Sequence, residues 1–262
     1  MDSFVPQKTE TETRKYFEKN IERDLLKRPK ERIEKIERRF APVGIFHIER
    51  ERKIKSGLSK VEKTVREQNK FYINLNNLDL YYVSTRGIFR RERYIANSDL
   101  VKKIIDLPMP SIEFLSDIIN KGRISHNELN KKYFLFLDGN FDHILILRTR
   151  GLIGVKGIRM PTARQPITPM IALEYVSKVN IPEFSDIRYD LKEFLAVEKF
   201  KDKKYKIDKT KYNLDEILEV IKMLFDGNGK SKGKIYMPYD QCKYVDNQGR
   251  YRYKRLIIAK FK

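Results

Sequence analysis

The residue types that most often bind metals or act as nucleophiles are scarce in this chain and far apart. Its three histidines, His47, His126 and His143, do not have the spacing of metal ligands. A single cysteine, Cys242, allows neither an intrachain disulfide nor a cysteine-based metal site. The sequence also has no zinc-protease motif. We therefore predict a protein without enzymatic activity and without a cofactor.

Gly229-Lys230-Ser231 is similar to the end of a phosphate-binding loop. The complete motif requires a further glycine five residues earlier, and that position is Leu224. The predicted order of elements is also reversed, because a helix precedes these residues and a strand follows them. The motif needs a strand first and a helix afterwards. We therefore predict no ATP binding at this segment.

Two acid-x-lysine triplets are the remaining candidates for catalysis. They are Asp190-Leu191-Lys192 and Asp202-Lys203-Lys204. A metal-dependent nuclease needs clustered carboxylates near a lysine. Neither triplet lies on a clearly predicted strand, and 36 acidic and 56 basic residues produce such triplets by chance. A metal-dependent nuclease is therefore the third of our functional hypotheses, after the two binding functions described below.

The balance of charge is the strongest feature of the composition. The chain of 262 residues has a formal net charge of +20, which attracts polyanions and speeds their association. Nucleic acid is the commonest such partner, and anionic membrane surfaces and acidic proteins are the alternatives. The sequence has no long apolar run and no signal peptide, so we expect a cytoplasmic protein without a membrane partner. Its bias toward Lys, Glu, Arg and Ile is typical of heat-adapted proteins.

The segment from Pro110 to Arg159 is predicted to form three helices followed by a strand and a basic loop. Ser111 is a plausible N-cap for the first helix, and Gly122 ends it. Ile124 would pair in a short strand. Ser125 and Glu128 form a capping box, which predicts the start of a second helix.

A third helix is predicted from about Phe141 to Thr149, after the turn residues Asp138-Gly139-Asn140. Phe141, Ile144 and Leu145 would face inward, and Gly151 would end this helix. A strand through Leu152, Ile153 and Val155 follows, and Lys156-Gly157-Ile158-Arg159 begins the basic loop. An alternative is a β-hairpin with strands at Tyr133–Leu137 and His143–Leu147, because Asp-Gly also favours tight hairpin turns.

This order of elements, together with Arg150-Gly151-Leu152-Ile153 at the exit of the third helix, resembles the winged helix-turn-helix domain. The resemblance implies that the third helix enters a major groove and that the wing contacts phosphates. We expect binding to DNA rather than RNA, and the predicted contacts are Arg150, Lys156, Arg159 and Arg164, with Lys131 and Lys132 flanking them and His143 facing a groove.

The predicted outer face of the third helix departs from that of a typical DNA reader. It would carry Asp142, His143, Ile146 and Arg150, and an acid and an isoleucine are poor partners for a polyanion. The second hypothesis is therefore an assembly or adaptor protein, or a homo-oligomer, that uses the winged helix to contact other proteins.

The N-terminal segment is predicted to be a charged helical arm. Phe17, Ile21 and Leu25 share one face of a helix from Thr11 to Arg28, which Pro29 ends. A second short helix would turn Ile33, Ile36 and Phe40 inward.

Strands are predicted next, around Phe46–Ile54, Phe71–Leu75 and Leu78–Tyr82. The stretch from Arg86 to Tyr94 interleaves basic and aromatic residues. That pattern suits nucleic-acid binding or an edge strand protected by charge.

Helices and a final hairpin are predicted after the central segment. Thr168-Pro169 would begin a helix through Val176, and Leu191–Phe200 would form another. Asn213 and Glu216 cap a third, and strands at Lys234–Val245 and Arg250–Phe261 would form a closing hairpin.

Two short segments near opposite ends of the chain have a similar pattern, which we call the sequence echo. Phe40-Ala41-Pro42-Val43 and Tyr236-Met237-Pro238-Tyr239 both place an aromatic residue two positions before a proline. Such strands beside a winged helix are similar to accessory regions of archaeal DNA-translocating ATPases. We predict an α+β fold with a helical arm at 1–39, a strand-rich domain at 40–100, a winged-helix domain at 101–165 and an α+β C-terminal domain at 166–262.

Overall fold

The computed structural model describes residues 2–55, 62–86, 92–126, 128, 141–159, 171–178, 190–199 and 205–262. Within them the chain is a mixed α+β protein, as predicted. The strands are β1 (Asp2–Phe4), β2 (Glu31–Lys55), β3 (Glu62–Asn74), β4 (Leu80–Arg86), β5 (Glu92–Ser98), β6 (Arg123–Ser125), β7 (Ile153–Arg159), β8 (Ile171–Ser177), β9 (Val197–Lys199), β10 (Lys206–Ile207), β11 (Asn228–Asp246) and β12 (Tyr251–Ile257). The helices are α1 (Glu10–Lys19), α2 (Leu100–Ile104), α3 (Met109–Lys121), α4 (Phe141–Thr149), α5 (Leu191–Phe194) and α6 (Leu214–Phe225).

Two long strands, β2 and β11, form the centre of the large sheet. They run antiparallel and are paired from Glu31 with Asp246 to Glu49 with Asn228. The sheet continues through β3, β4 and β5 on the β2 side, and β12 pairs with β11. The predicted boundary after residue 39 falls inside β2. Strands from the segments 40–100 and 166–262 therefore belong to one sheet.

The two prolines of the sequence echo lie side by side at the centre of this sheet. Pro42 is opposite Tyr236, and Pro238 is opposite Phe40. The pairing of β2 with β3 begins just after Pro42, and the pairing of β11 with β12 begins just after Pro238. Proline has no N–H to donate, so it fits where a strand's outer partner ends. The echo is therefore a local two-fold relation between the two central strands.

The helical arm predicted for residues 1–39 is wrong beyond Lys19. The helix α1 ends there, and residues 31–39 belong to β2. Ile33 and Ile36 have helical spacing, yet both pack in the cluster around Phe17. A register shift beside Glu34 places them on one face of the strand, because Lys243 is opposite Lys35 and Tyr244 is opposite Ile33.

One other predicted helix is wrong, and another is shorter than predicted. Residues 171–177 form β8, because they pair with both β6 and β7. The helix predicted over Leu191–Phe200 is limited to α5, and β9 follows it. In contrast, the Asn213 side chain caps α6 as predicted, because it accepts a hydrogen bond from the Asp215 amide. The strands β11 and β12 form the predicted closing hairpin.

One hydrophobic cluster joins the large sheet to the central segment. It includes Phe71 and Ile73 of the sheet, Leu115 of α3 and Leu147 of α4. The helix α6 lies between them, and Phe225 stacks on Phe71 with ring centroids 4.7 Å apart. The central segment is therefore packed on the sheet through a shared core.

The beginning of β2 is held to β12 by a partly buried ion pair. Arg252 donates from Nε to Oε2 of Glu31 over 2.8 Å and makes a second hydrogen bond to the same carboxylate. The Glu22 amide also donates to Glu31, over 2.8 Å. Burial alone raises the pKa of Glu31, but the bonds from Arg252 and Glu22 outweigh it and lower the pKa below its usual value.

This ion pair should make stability depend on pH in the acid range. Because the folded pKa of Glu31 is depressed, its contribution is present above the unfolded value of about 4.3 and is lost as the pH falls through the folded value. We expect Glu31→Gln to lose about 1–3 kcal/mol at neutral pH and to approach the wild type in acid. Denaturant titrations of both proteins at several pH values measure this. A difference that does not change with pH contradicts it.

Candidate nucleic-acid interface

The central segment forms a compact unit of helices and a three-stranded sheet. The helix α3 ends at Gly122, whose φ of 75° is readily adopted only by glycine. The short strand β6 follows, and the Glu128 amide donates to Ser125 Oγ over 3.2 Å. His126 and Glu128 are helical, which agrees with the predicted second helix. The rest of that predicted helix lies outside the described residues.

The small sheet has the order β6-β8-β7. Ile124 is opposite Tyr175 on β8, and Val155 of β7 is opposite the same tyrosine. The helix α4 precedes β7 and ends before Gly151, whose φ is 69°. The alternative hairpin is wrong for its second strand, because His143–Leu147 is helical.

The β7–β8 hairpin carries two of the predicted phosphate contacts within the described residues. Lys156 is exposed on β7, opposite Glu174. Arg159 is the last residue of β7, opposite Ile171. The other predicted contacts in this region, Arg164, Lys131 and Lys132, lie outside the described residues.

Arg150 is engaged within the protein. Its guanidinium donates to both carboxylate oxygens of Asp106, over 2.5 and 3.1 Å, and to the Lys103 carbonyl over 2.8 Å. The hydrogen bond from Arg150 lowers the pKa of Asp106. A phosphate at Arg150 would therefore compete with a carboxylate already in place.

His143 lies at the contact between α3 and α4. Its Nδ1 is 2.6 Å from Oγ of Ser111, which is fully buried in α3. Ser111 was expected to cap α3, but the helix begins at Met109. The hydrogen bond fixes the histidine ring against α3 and only part of the residue is exposed.

The orientation of α4 differs from the prediction. Leu145 was expected inside, but it is 55% exposed, and Leu147 is fully buried instead. Ile146, expected outside, packs against the core. The run Ile144 to Leu147 is apolar on every side of the helix, so its periodicity could not select the inward face. Among the described side chains of α4, Leu145, Arg148 and Thr149 form the exposed face.

Two of the three segments considered for chemistry have structural roles. The Asp190 carboxylate accepts hydrogen bonds from Lys70, Tyr72 and the Lys192 amide, and it caps α5. Gly229 lies in β11, where a Cβ would be 2.7 Å from the His47 carbonyl oxygen. In the described part of the chain, no group of three His, Cys, Asp or Glu side chains is arranged to hold a metal ion. The Asp202 triplet lies outside the described residues.

The basic and aromatic stretch at Arg86–Tyr94 belongs to the hairpin of β4 and β5. Residues 87–91 lie outside the described residues. Among the described strands, β5 pairs with β4 alone and is an edge of the large sheet. Arg93 lies over the Phe194 ring, 5.0 Å from its centroid. These contacts favour the edge-strand interpretation.

A second exposed aromatic group was not singled out from the sequence. Tyr251 and Tyr253 on β12 are 63% and 54% exposed, with ring centroids 5.6 Å apart. The alternation Tyr-Arg-Tyr-Lys-Arg in this strand is the available signal, but the segment was predicted only as one strand of a hairpin.

The comparisons with known proteins identify no relative. A scan of protein-family models finds no match to this chain, and searches of curated proteins and of solved structures return no significant match. Separately, no helix in the described part of the chain is long and apolar enough to cross a membrane.

Proposed function

We propose that the chain is a non-enzymatic DNA-binding protein and that the segment from α3 to β8 is a winged helix. The single observation that carries this proposal is the sheet order β6-β8-β7 with α4 directly before β7. In a winged helix the short strand after the first helix pairs with the last strand. The wing connects that last strand to the strand that follows the third helix. The net charge of +20 supports a polyanionic partner.

The exposed face of α4 and the β7–β8 hairpin are the proposed contact surface. Arg148 and Thr149 of α4 would approach the groove, and Lys156 and Arg159 would approach phosphates. Arg150 and His143 would position α4, because they bind Asp106 and Ser111. Arg164, Lys131 and Lys132 remain predicted contacts.

Reversing the charge of Lys156 and Arg159 together should weaken duplex binding for all sequences alike. Each lost phosphate contact should reduce the slope of log affinity against log salt by about 0.9. Electrophoretic shift titrations at two salt concentrations measure both effects.

The matched control is Lys15→Glu with Lys19→Glu, which makes the same change in net charge on the exposed surface of α1. The control should retain a steeper salt dependence than the β7 variant. Equal losses in both variants would assign binding to net charge and remove the winged helix from the proposal.

A second candidate function is an assembly or adaptor role. Leu25 and Leu26 are 103% and 71% exposed, in a turn closed by a hydrogen bond of 2.9 Å from the Asp24 amide to the Arg28 carbonyl. Together with Leu145, they offer apolar side chains to another protein. Light scattering without DNA, together with the electrophoretic titration, distinguishes the two functions. A defined oligomer in light scattering and no DNA binding in the titration would favour the adaptor.

A further inference from the structure

On the final strand, β12, charged side chains face the protein and aromatic side chains face solvent, which is the reverse of the usual distribution. Arg252 and Lys254 point toward the end of α1, where Arg252 donates to the Asn20 carbonyl and Lys254 donates to Asn20 Oδ1. Tyr251 and Tyr253 point away from α1 into solvent. Exposed aromatic residues on an edge strand favour unwanted association, and edge strands normally carry charged residues at such positions. The inversion therefore indicates a use for the tyrosines.

Cationic side chains share the surface with these tyrosines. Lys243 of β11 is opposite Tyr253, and its Nζ is 5.0 Å from the centroid of the Tyr251 ring. Arg255 lies on the same side of β12, opposite Gln241. Lys35 of β2 is opposite Lys243. We call Tyr251, Tyr253, Arg255, Gln241, Lys243 and Lys35 the tyrosine face.

The charge around the tyrosine face is positive on balance. Lys35 and Lys206 are both largely exposed and share one carboxylate, Glu37, at distances of 2.6 and 3.0 Å. Lys243 is paired with Glu34 over 2.5 Å. Arg255 contacts the uncharged Gln241 and lies 5.3 Å from the centroid of the Tyr239 ring. The lysine pair and Arg255 can therefore attract an anion.

We propose that the tyrosine face binds single-stranded nucleic acid. Unpaired bases would stack on Tyr251 and Tyr253, and the flanking phosphates would lie against Lys35, Lys206 and Arg255. Aromatic stacking tolerates any base, and a duplex does not expose its base faces. The surface would thus select unpaired strands without reading their sequence.

This site is separate from the proposed winged helix. It lies on β2, β11 and β12 of the large sheet, whereas the duplex contacts belong to α4 and β7. A chain with both surfaces could hold a junction between paired and unpaired strands. The inference goes beyond the proposed function, because single-strand binding does not depend on the winged helix.

Fluorescence anisotropy with a labelled oligothymidine of about 20 nucleotides tests the proposal, with a duplex of the same length in parallel. Tyr251→Leu with Tyr253→Leu removes the rings and keeps apolar side chains, while Tyr251→Phe with Tyr253→Phe keeps the rings. We expect the leucine pair to lose affinity for the single strand by roughly tenfold for each tyrosine. The phenylalanine pair should retain affinity within about threefold, since stacking needs only the ring. An oligouridine arm distinguishes RNA from DNA.

Two controls separate the possible causes. Met109→Ala with Val197→Ala changes two other exposed apolar residues and should leave single-strand affinity unchanged. Circular dichroism should show the same fold in all variants.

Several results would overturn the proposal. They are a wild type that does not bind the single strand, a leucine variant that binds as tightly as the wild type, and a phenylalanine variant as weak as the leucine variant. A wild-type oligomer that dissociates in the leucine variant would assign the face to contacts between copies. A wild type that binds the single strand but not the duplex would count against the winged helix only.

Discussion

Replacement of Asp240 by alanine is expected to lower the free energy of unfolding by about 3–5 kcal/mol. Asp240 is buried and accepts two hydrogen bonds from Arg38, over 2.9 and 3.1 Å. Thr13 of α1 donates to the same carboxylate over 2.7 Å. Removing the carboxylate leaves a partly buried guanidinium without its counter-charge and a buried hydroxyl without its acceptor.

Chemical denaturation of the two proteins measures this loss. Glu18→Ala is the matched control, because Glu18 pairs with Arg14 at an exposed position of α1 and should cost no more than about 1 kcal/mol. Replacing both partners, with Arg38→Met and Asp240→Leu, should recover much of the loss, since no buried charge is then left alone. A cost for Asp240→Ala as small as that of the control would contradict the prediction.

Phe225→Ala should be comparably destabilising, by about 3–5 kcal/mol. The Phe225 ring is buried at the end of α6 and stacks on Phe71 of β3. Its removal leaves a cavity in the cluster that also contains Leu115 and Leu147 of the central segment. The loss combines transfer of the ring to water with unfilled space that the neighbours fill only in part.

The same variant tests whether the central segment unfolds together with the sheet. Because one cluster includes both, we expect a single transition, shifted as a whole. Phe225→Leu should cost less than about 1.5 kcal/mol, since it largely conserves the apolar volume. Two separate transitions, of which only one responds to Phe225→Ala, would show that the central segment is an independent unit.

Two of the predicted contact residues are held by hydrogen bonds within the protein. Arg150 is neutralised by Asp106, and His143 is fixed by Ser111. Under the proposed function, the duplex would contact Lys156 and the exposed face of α4.

Local sequence signals determined the elements that end at a cap or a tight turn. Gly122 and Gly151 have positive φ and end α3 and α4, as the sequence predicts. Asn213 caps α6, and residues 246–249 turn the closing hairpin. These features depend on a few adjacent residues, because caps and turns are satisfied by groups close in sequence.

Only the tertiary structure decided which face of an element is buried. Ile33 and Ile36 have the spacing of a helix, but a register shift against β11 places them on one face of a strand beneath α1. Leu145 and Leu147 have similar hydrophobicity, and packing on α3 and the small sheet buries only Leu147. Periodicity gives a pattern, whereas its orientation depends on partners distant in sequence.

The same limit applies to the charged residues of the candidate sites. Arg150 was predicted to contact phosphate, but Asp106 binds it from a distant segment. Arg252 is likewise bound by the distant Glu31. The tyrosines between Arg250 and Arg255 remain exposed because α1 covers only the opposite face of β12. Charge and composition thus determined the expectation of a polyanionic partner. The packing of α1 and α2 decided which cations and rings remain at the surface.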